Sequence, residues 1–278
     1  MTLHQGAATR PWVDRILSVN GWLIFAFLYL PILMVVVFSF SASPNVGRWG
    51  GFTLGWYERM LSNEQLMQSL RNSVIVALAS TIVSTILGTA AAIALDRYRK
   101  WVGRGTFDAV VYLPIIIPDV TMAVMLLLWF TSIGMGLGLG SITLSHIAFN
   151  ISFVAIVVRA RLANMDPAME EAAADLYADR WQAFRRVTLP LIMPGVLGGG
   201  LLALTLSLDD VVITSFVQGP GSTTLPVYVF GLIKRSVTPE INAVSTLMMV
   251  MSVGLVLASL MFQTRSDRKQ RQWRRRQT

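Results

Sequence analysis

The chain has no cysteine, and that absence removes thiolate metal sites, disulfides and a cysteine nucleophile. Histidine is nearly as scarce. His4 and His146 lie far apart in sequence, and no nucleophile–base or metal-ligand spacing accompanies either. No catalytic or metal site is therefore expected, and an intramembrane enzyme is the weakest of the readings. Charge is the third shortage: 14% of residues are charged, against about 25% in soluble domains. With 54% hydrophobic residues and a mean hydropathy of +0.59, the composition is that of a membrane protein. The 278 residues suit one integral unit of roughly five to seven spans of about 20 residues each. No room is left for a separate nucleotide-binding or catalytic domain.

What is present is a series of long apolar runs. They predict an all-α polytopic membrane helix bundle of about six transmembrane helices. The expected spans are Gly21–Ala42, Ser69–Leu95, Phe107–Phe130, Ile142–Val158, Leu189–Val217 and Asn242–Phe262. The first is too long for a signal-peptide core and is read as a retained helix. The net charge of +8 sits beside the spans, as topogenic charge does, so no nucleic-acid partner is expected. Arg97, Arg99, Lys100 and Arg104 fill one loop, and the tail carries Arg265, Arg268, Lys269, Arg271 and Arg274 to Arg276. The neutral "GMGLGLG" falls on the other side. The positive-inside rule then puts both termini and "EEAAADLYADR" in the cytoplasm. The expected division is a cytoplasmic segment 1–20, a transmembrane domain 21–263 and a basic cytoplasmic tail 264–278.

One polar stretch stands out, "EEAAADLYADRWQAFRRVTLP" at residues 170–190. From Arg159 to Arg186 the chain carries five charges of each sign, on the same side as the basic loop. Asp166–Pro167 is a helix start, and Glu170 and Glu171 fall near that helix's positive end. Met169, Ala172, Ala173 and Leu176 share one face. Asp179 with Gln182 forms a second start of the capping-box kind. Trp181, Phe184 and Val187 line the second helix, Arg180, Arg185 and Arg186 remain available to pair, and Pro190 and Pro194 mark the turn back into the membrane. Two short amphipathic helices are expected at about 160–189. Their alanine face is a poor lipid anchor and suits docking against a protein.

Glu171-Ala172-Ala173, three residues, a glycine position, nine residues, then Val187-x-Leu189-Pro190 resembles the EAA loop of ABC importer permeases. The departure is Tyr177 at the glycine position. A tyrosine carries a steric penalty in a left-handed turn, so the turn is expected to move to Ala178 or the helices to meet at another angle. The resemblance, over about residues 20 to 265, implies the type I permease fold. It also implies ATPase coupling through Glu171, Ala172, Ala173, Leu176, Tyr177, Leu189 and Pro190.

The second constellation is acidic: Asp119 in "YLPIIIPDVTMAVM" and Asp209–Asp210 in "LTLSLDDVVITSF". A carboxylate at bilayer depth costs roughly 2.5–3.5 kcal/mol, so it faces a cavity or a partner. Without a basic residue in the central part of any span, a water-lined cation path is expected. Pro114 and Pro118 free backbone carbonyls nearby. Tyr112, Trp129, Phe216 and Tyr228 offer cation–π faces, with lipid-belt or packing duty as the competing role. Tyr112 and Trp129 join Asp119, Asp209 and Asp210 as the pathway set. Asp209 and Asp210 also suit a rim position with helix-capping or partner contacts, and Asp108, at a span entrance near Arg104, is read as having no pathway role.

"LTLSLDDVVITSFVQGPGSTTLPVYVF", "VTPEINAVSTLMM" and "FTLGWYERML" resemble the spermidine/putrescine permeases of the PotC and PotI type. That resemblance implies polyamine uptake, a periplasmic binding protein, a second and different permease subunit, and an ATPase dimer. ATP and magnesium would be bound by the ATPase and no cofactor by this chain. Permeases for ferric iron or opines share parts of the pattern and stand as alternatives. A secondary cation transporter is a further one, but it needs no docking loop, and no inverted repeat is visible.

Overall fold

The computed structural model describes residues 11–98, 100–235, 239–254 and 257. Among the described residues the architecture is a helical bundle without named strands. Helix α1 (Pro11–Phe38) is followed by the short α2 (Gly55–Ser62) and by α3 (Glu64–Arg97), the longest element. Then come α4 (Arg104–Ile116), α5 (Asp119–Ser132) and α6 (Leu139–Ala163). The polar loop forms α7 (Ala168–Asp175) and α8 (Arg180–Ala183), and α9 (Leu189–Asp209), α10 (Val212–Val217) and α11 (Leu225–Arg235) follow. Residues 239–254 are also helical.

Among the described residues four helices are long and apolar enough to cross a membrane, or five if the bent pair α4–α5 is one span. The third expected span is therefore not a single rod. It breaks at Ile117–Pro118 with a bend of 114°. Pro118 lacks the N–H that would continue the helix and forces Ile117 into extended backbone, φ −73° and ψ 132°. Pro114, by contrast, is accommodated inside α4. Of the sixth expected span, 242–254 is seen as helix, and the rest lies largely outside the described residues, as do the segment 1–10 and the basic tail.

The core is the trio α3, α6 and α9, packed on one another. Small residues set their approach. A Cβ on Gly88 of α3 would stand 2.8 Å from the Ile151 carbonyl oxygen of α6. One on Gly199 of α9 would stand 3.2 Å from Val154 Cα, and one on Gly200 would stand 2.9 Å from Thr85 Oγ1. The glycine- and alanine-rich stretches thus serve close packing inside this chain. Ala91, Ala92, Leu95, Val154, Val158 and Ile192 form a buried cluster toward one end of the trio. A second cluster around Phe130, Ile142, Phe149 and Val217 joins α5, α6 and α10. Helix α1 has none of its apolar window buried in this chain, which suits a helix surrounded by lipid or a neighbour.

The two ends of the bundle differ. At one, the 98–103 loop and the polar 164–188 segment lie together, linked by Arg97 and Glu170. At the other, Asn72 Nδ2 donates to the carbonyls of Gly221 and Thr223, both at 3.0 Å, and Ser141 Oγ donates to the Val217 carbonyl at 2.8 Å. The basic loop and the alanine-rich loop therefore share an end, and the neutral glycine loop occupies the other.

Candidate functional site

The polar loop is built as its sequence suggests at the starts. Asp166 Oδ1 accepts from the Ala168 N–H at 3.0 Å, and Asp179 Oδ1 accepts from the Gln182 N–H at 2.8 Å. Its second helix is not a separate element, however. Arg180 to Asp209 is one rod of 30 residues, with a π-helical turn at Phe184–Thr188 joining α8 to α9. Pro190 does not break it, because it directly follows the π-helical turn, where the α-helical hydrogen-bond ladder is already interrupted and the Leu189 N–H donates to the Phe184 carbonyl. The turn between α7 and α8 stays at Tyr177 rather than moving to Ala178. Tyr177 is the only non-glycine described residue with positive φ, at 60°. Its ring makes no demand on the interior, being 97% exposed. Glu171 and Ala172 are exposed, Ala173 and Leu189 half-buried, and Pro190 exposed. Leu176, Trp181 and Met169 add exposed apolar surface to this end, Leu176 being 82% exposed.

The acidic residues converge. Asp119 opens α5 at the broken span, while Asp209 and Asp210 end α9. All three line one cavity of about 300 Å³ with Met122, Phe149 and Phe153, and no Lys or Arg is among its lining residues. Asp119 and Asp209 are exposed, and neither has an ion-pair partner among the described residues. Asp210 differs. Its Oδ2 accepts from the Thr214 N–H at 2.8 Å and from Thr214 Oγ1 at 2.7 Å, so it satisfies part of the first turn of α10. It also faces His146 Nε2 at 3.3 Å.

His146, fully buried on α6, is the residue that sequence reasoning left outside the site. Its Nδ1 lies 2.6 Å from Ser207 Oγ, which in turn lies 3.1 Å from Ser80 Oγ. Nε2 lies 3.1 Å from Thr214 Oγ1. The ring thereby holds α6, α9, α10 and α3 around the elbow that presents Asp209. Its partners are two hydroxyls and a carboxylate; the signal in the sequence is that a titratable ring inside a span needs a polar partner.

Tyr112 and Trp129 are not brought to the acidic cavity. Tyr112 OH accepts from Arg159 Nη1 at 2.6 Å, and the same nitrogen donates to Asp108 Oδ1 at 2.7 Å. Asp108 thus pairs with Arg159 on α6, and Arg104 Nη2 donates to the Leu95 carbonyl at 3.2 Å. The i, i+4 spacing of Asp108 and Tyr112 puts both on one face, within reach of one guanidinium. Trp129 is half-exposed on α5 and lines a separate apolar groove of about 860 Å³ with Leu87, Phe107 and Met125. The aromatics that line the acidic cavity are Phe149 and Phe153. Among the described residues no group of three or more His, Asp or Glu side chains is arranged to hold a metal.

Residues 84–272 match the family of binding-protein-dependent transport system inner membrane components. This chain is a member of that family. It is a multi-pass membrane protein, a permease subunit of an ABC importer and not an enzyme. Over 236 residues it is 40% identical to the spermidine/putrescine transport system permease protein PotC of Escherichia coli K12, covering 85% of this chain and 89% of that protein. Over 252 residues it is 40% identical to the putrescine transport system permease protein PotI of the same strain, covering 88% of each. Solved structures share the fold at low identity. A chain of a bacterial ABC transporter that imports the acidic polysaccharide alginate matches with a TM-score of 0.73 at 19% identity, over 92% of this chain and 96% of that one. A chain of the MetNI methionine ABC transporter in an inward-facing form matches at 0.59 and 16% identity, over 77% and 99%.

Proposed function

We propose that this permease subunit moves polyamines, putrescine and spermidine, inward across the bacterial inner membrane, with both termini in the cytoplasm. The observation that carries the proposal is the meeting of Asp119, Asp209 and Asp210 on one cavity without a basic lining residue. A di- or polycation crossing a low-dielectric barrier needs fixed negative charge along its way. Asp119 and Asp209, exposed and without an ion-pair partner among the described residues, are the groups that meet the ammonium ends, and Asp210 keeps the elbow in place. Phe149 and Phe153 supply faces for cation–π contact worth about 0.5–2 kcal/mol each. The names of the 40% identical relatives point to the same class of solute.

The partners in this proposal are a second, homologous permease subunit, a periplasmic binding protein that delivers substrate, and an ATPase dimer that binds ATP and magnesium. Glu171, Ala172, Ala173, Leu176, Tyr177, Leu189 and Pro190 form the contact with the ATPase. In support, an exposed helix of small residues is flanked by the apolar side chains of Leu176 and Trp181 at the end that carries the basic loop. The permeation unit spans 21–263, with 1–20 and 264–278 as cytoplasmic flanks.

The test is uptake of labelled putrescine and spermidine by cells expressing this chain with its partner subunits, an ATPase-dead control alongside. Uptake is expected to need the ATPase and to be competed by polyamines but not by amino acids, sugars or iron chelates. ATPase-dependent transport that polyamines fail to compete would remove the substrate assignment. Asp119→Asn and Asp209→Asn are each expected to lower uptake about tenfold or more, through one lost charge-assisted contact, while leaving the protein in the membrane. Normal uptake in both variants would leave the carboxylates without a transport role.

A further inference from the structure

At the cytoplasmic end of the bundle three distant parts of the chain meet on one oxygen. Glu170 Oε1 pairs with Arg97 Nη2 at the last residue of α3, and it accepts from Thr188 Oγ1 at 2.5 Å. Arg97 Nη2 also donates to Thr188 Oγ1 at 3.1 Å, closing a three-membered ring of contacts. Glu170 lies in the first turn of α7, 73 residues from Arg97, and Thr188 closes the π-helical turn, 91 residues from Arg97.

As a source of stability such a ring is weak. The Arg97 and Glu170 side chains are 36% and 25% exposed, and ion pairs in that setting contribute little. Its geometry is more informative. Thr188 is fully buried, so the ring connects an exposed loop helix to the interior. The π turn is the one irregular point in the 30-residue rod, and such turns are sites where a helix accepts a change of path. Glu170 directly precedes Glu171 in α7. Movement of α7 is therefore delivered at one height to α3 and to α9, two of the three helices that form the core.

We propose that Arg97, with Glu170 and Thr188, is the positioning element that transmits displacement of the loop helix to α3 and α9. This rests on the coupling-loop assignment above and adds a residue outside the loop. The test uses the complete transporter reconstituted in proteoliposomes, reading uptake per ATP hydrolysed and retention of the ATPase subunit. Arg97→Glu and Glu170→Arg are each expected to keep the ATPase bound and hydrolysing while uptake per ATP falls about tenfold. The double swap is expected to return it to within about threefold of the parent, and Arg97→Lys to stay near it. Thr188→Val falls between. Unchanged uptake per ATP in both single variants, or a swap no better than the singles, would overturn the relay. So would release of the ATPase by the singles, which would make the pair a docking brace. Glu171→Arg runs beside them. If it uncouples and the Arg97 and Glu170 variants do not, the relay alone fails; if it too has no effect, the coupling-loop assignment fails with it.

Discussion

At the scale of single residues, the one buried imidazole among the described residues, His146, is committed to structure. His146 satisfies Ser207 on one side and Thr214 and Asp210 on the other, with all four groups at the elbow between α9 and α10. A leucine there would fill similar space and leave Ser207 Oγ without its ring partner, along with one side of the Asp210 carboxylate. His146→Leu is expected to cost about 2–3 kcal/mol, the penalty of stranding buried polar groups, and to lower the melting temperature in detergent. Asp210→Asn keeps a carbonyl oxygen for the Thr214 N–H and is expected to cost less. An Asp210→Asn variant that melts below His146→Leu would contradict this ordering. The pairing itself was not legible in the sequence, because 64 residues separate His146 from Asp210 and no spacing rule links them. That His146 needed a partner was legible.

Among the elements, the sequence signals held where they are local and failed where tertiary context decides. Asp166 and Asp179 start their helices as their side chains dictate. Pro118 ends a helix, yet Pro114 and Pro190 do not, because the consequence of a proline depends on its place in the helix. Tyr177 keeps a left-handed backbone at a cost of about 1–2 kcal/mol, since α7 and α8 are both fixed around it. Tyr177→Gly is expected to raise the melting temperature modestly by removing that strain, and an unchanged or lower value would show that the turn is relaxed. The glycines of the core make a sharper test. A methyl at Gly88 meets the Ile151 carbonyl oxygen at 2.8 Å, whereas one at Gly198 meets Val157 at an ordinary 3.8 Å. Gly88→Val is expected to destabilise by about 1–3 kcal/mol through overpacking, and Gly198→Ala to be tolerated. Equal losses of folded protein from the two variants, measured by size-exclusion after extraction, would mean that the close approach of α3 to α6 does not limit packing.

On the scale of the whole molecule, charge and irregular backbone are sorted to opposite purposes. One end gathers the 98–103 loop, the alanine-rich helix and the Arg97–Glu170–Thr188 ring. The glycine loop at 134–138 and the 218–225 segment share the other. Between them the broken α4–α5 span and the α9–α10 elbow bring three carboxylates to one cavity. A broken helix at membrane depth is tolerable only where protein or water satisfies its backbone, so the break and the cavity belong together. The apolar, helical character of the chain and the identity of the acids were readable from the sequence. Their convergence was not, because it depends on a 114° bend that hydropathy does not encode. The orientation proposed for this arrangement has a direct check, since the chain lacks cysteine and any introduced thiol is unique. Tyr177 and Gly136 are both exposed, at opposite ends of the bundle. In intact spheroplasts a membrane-impermeant maleimide is expected to label Gly136→Cys and to spare Tyr177→Cys, and in inside-out vesicles the pattern is expected to reverse. The opposite pattern would place the alanine-rich helix outside, where no ATPase could reach it, and the ATP-coupled proposal would fall with the orientation.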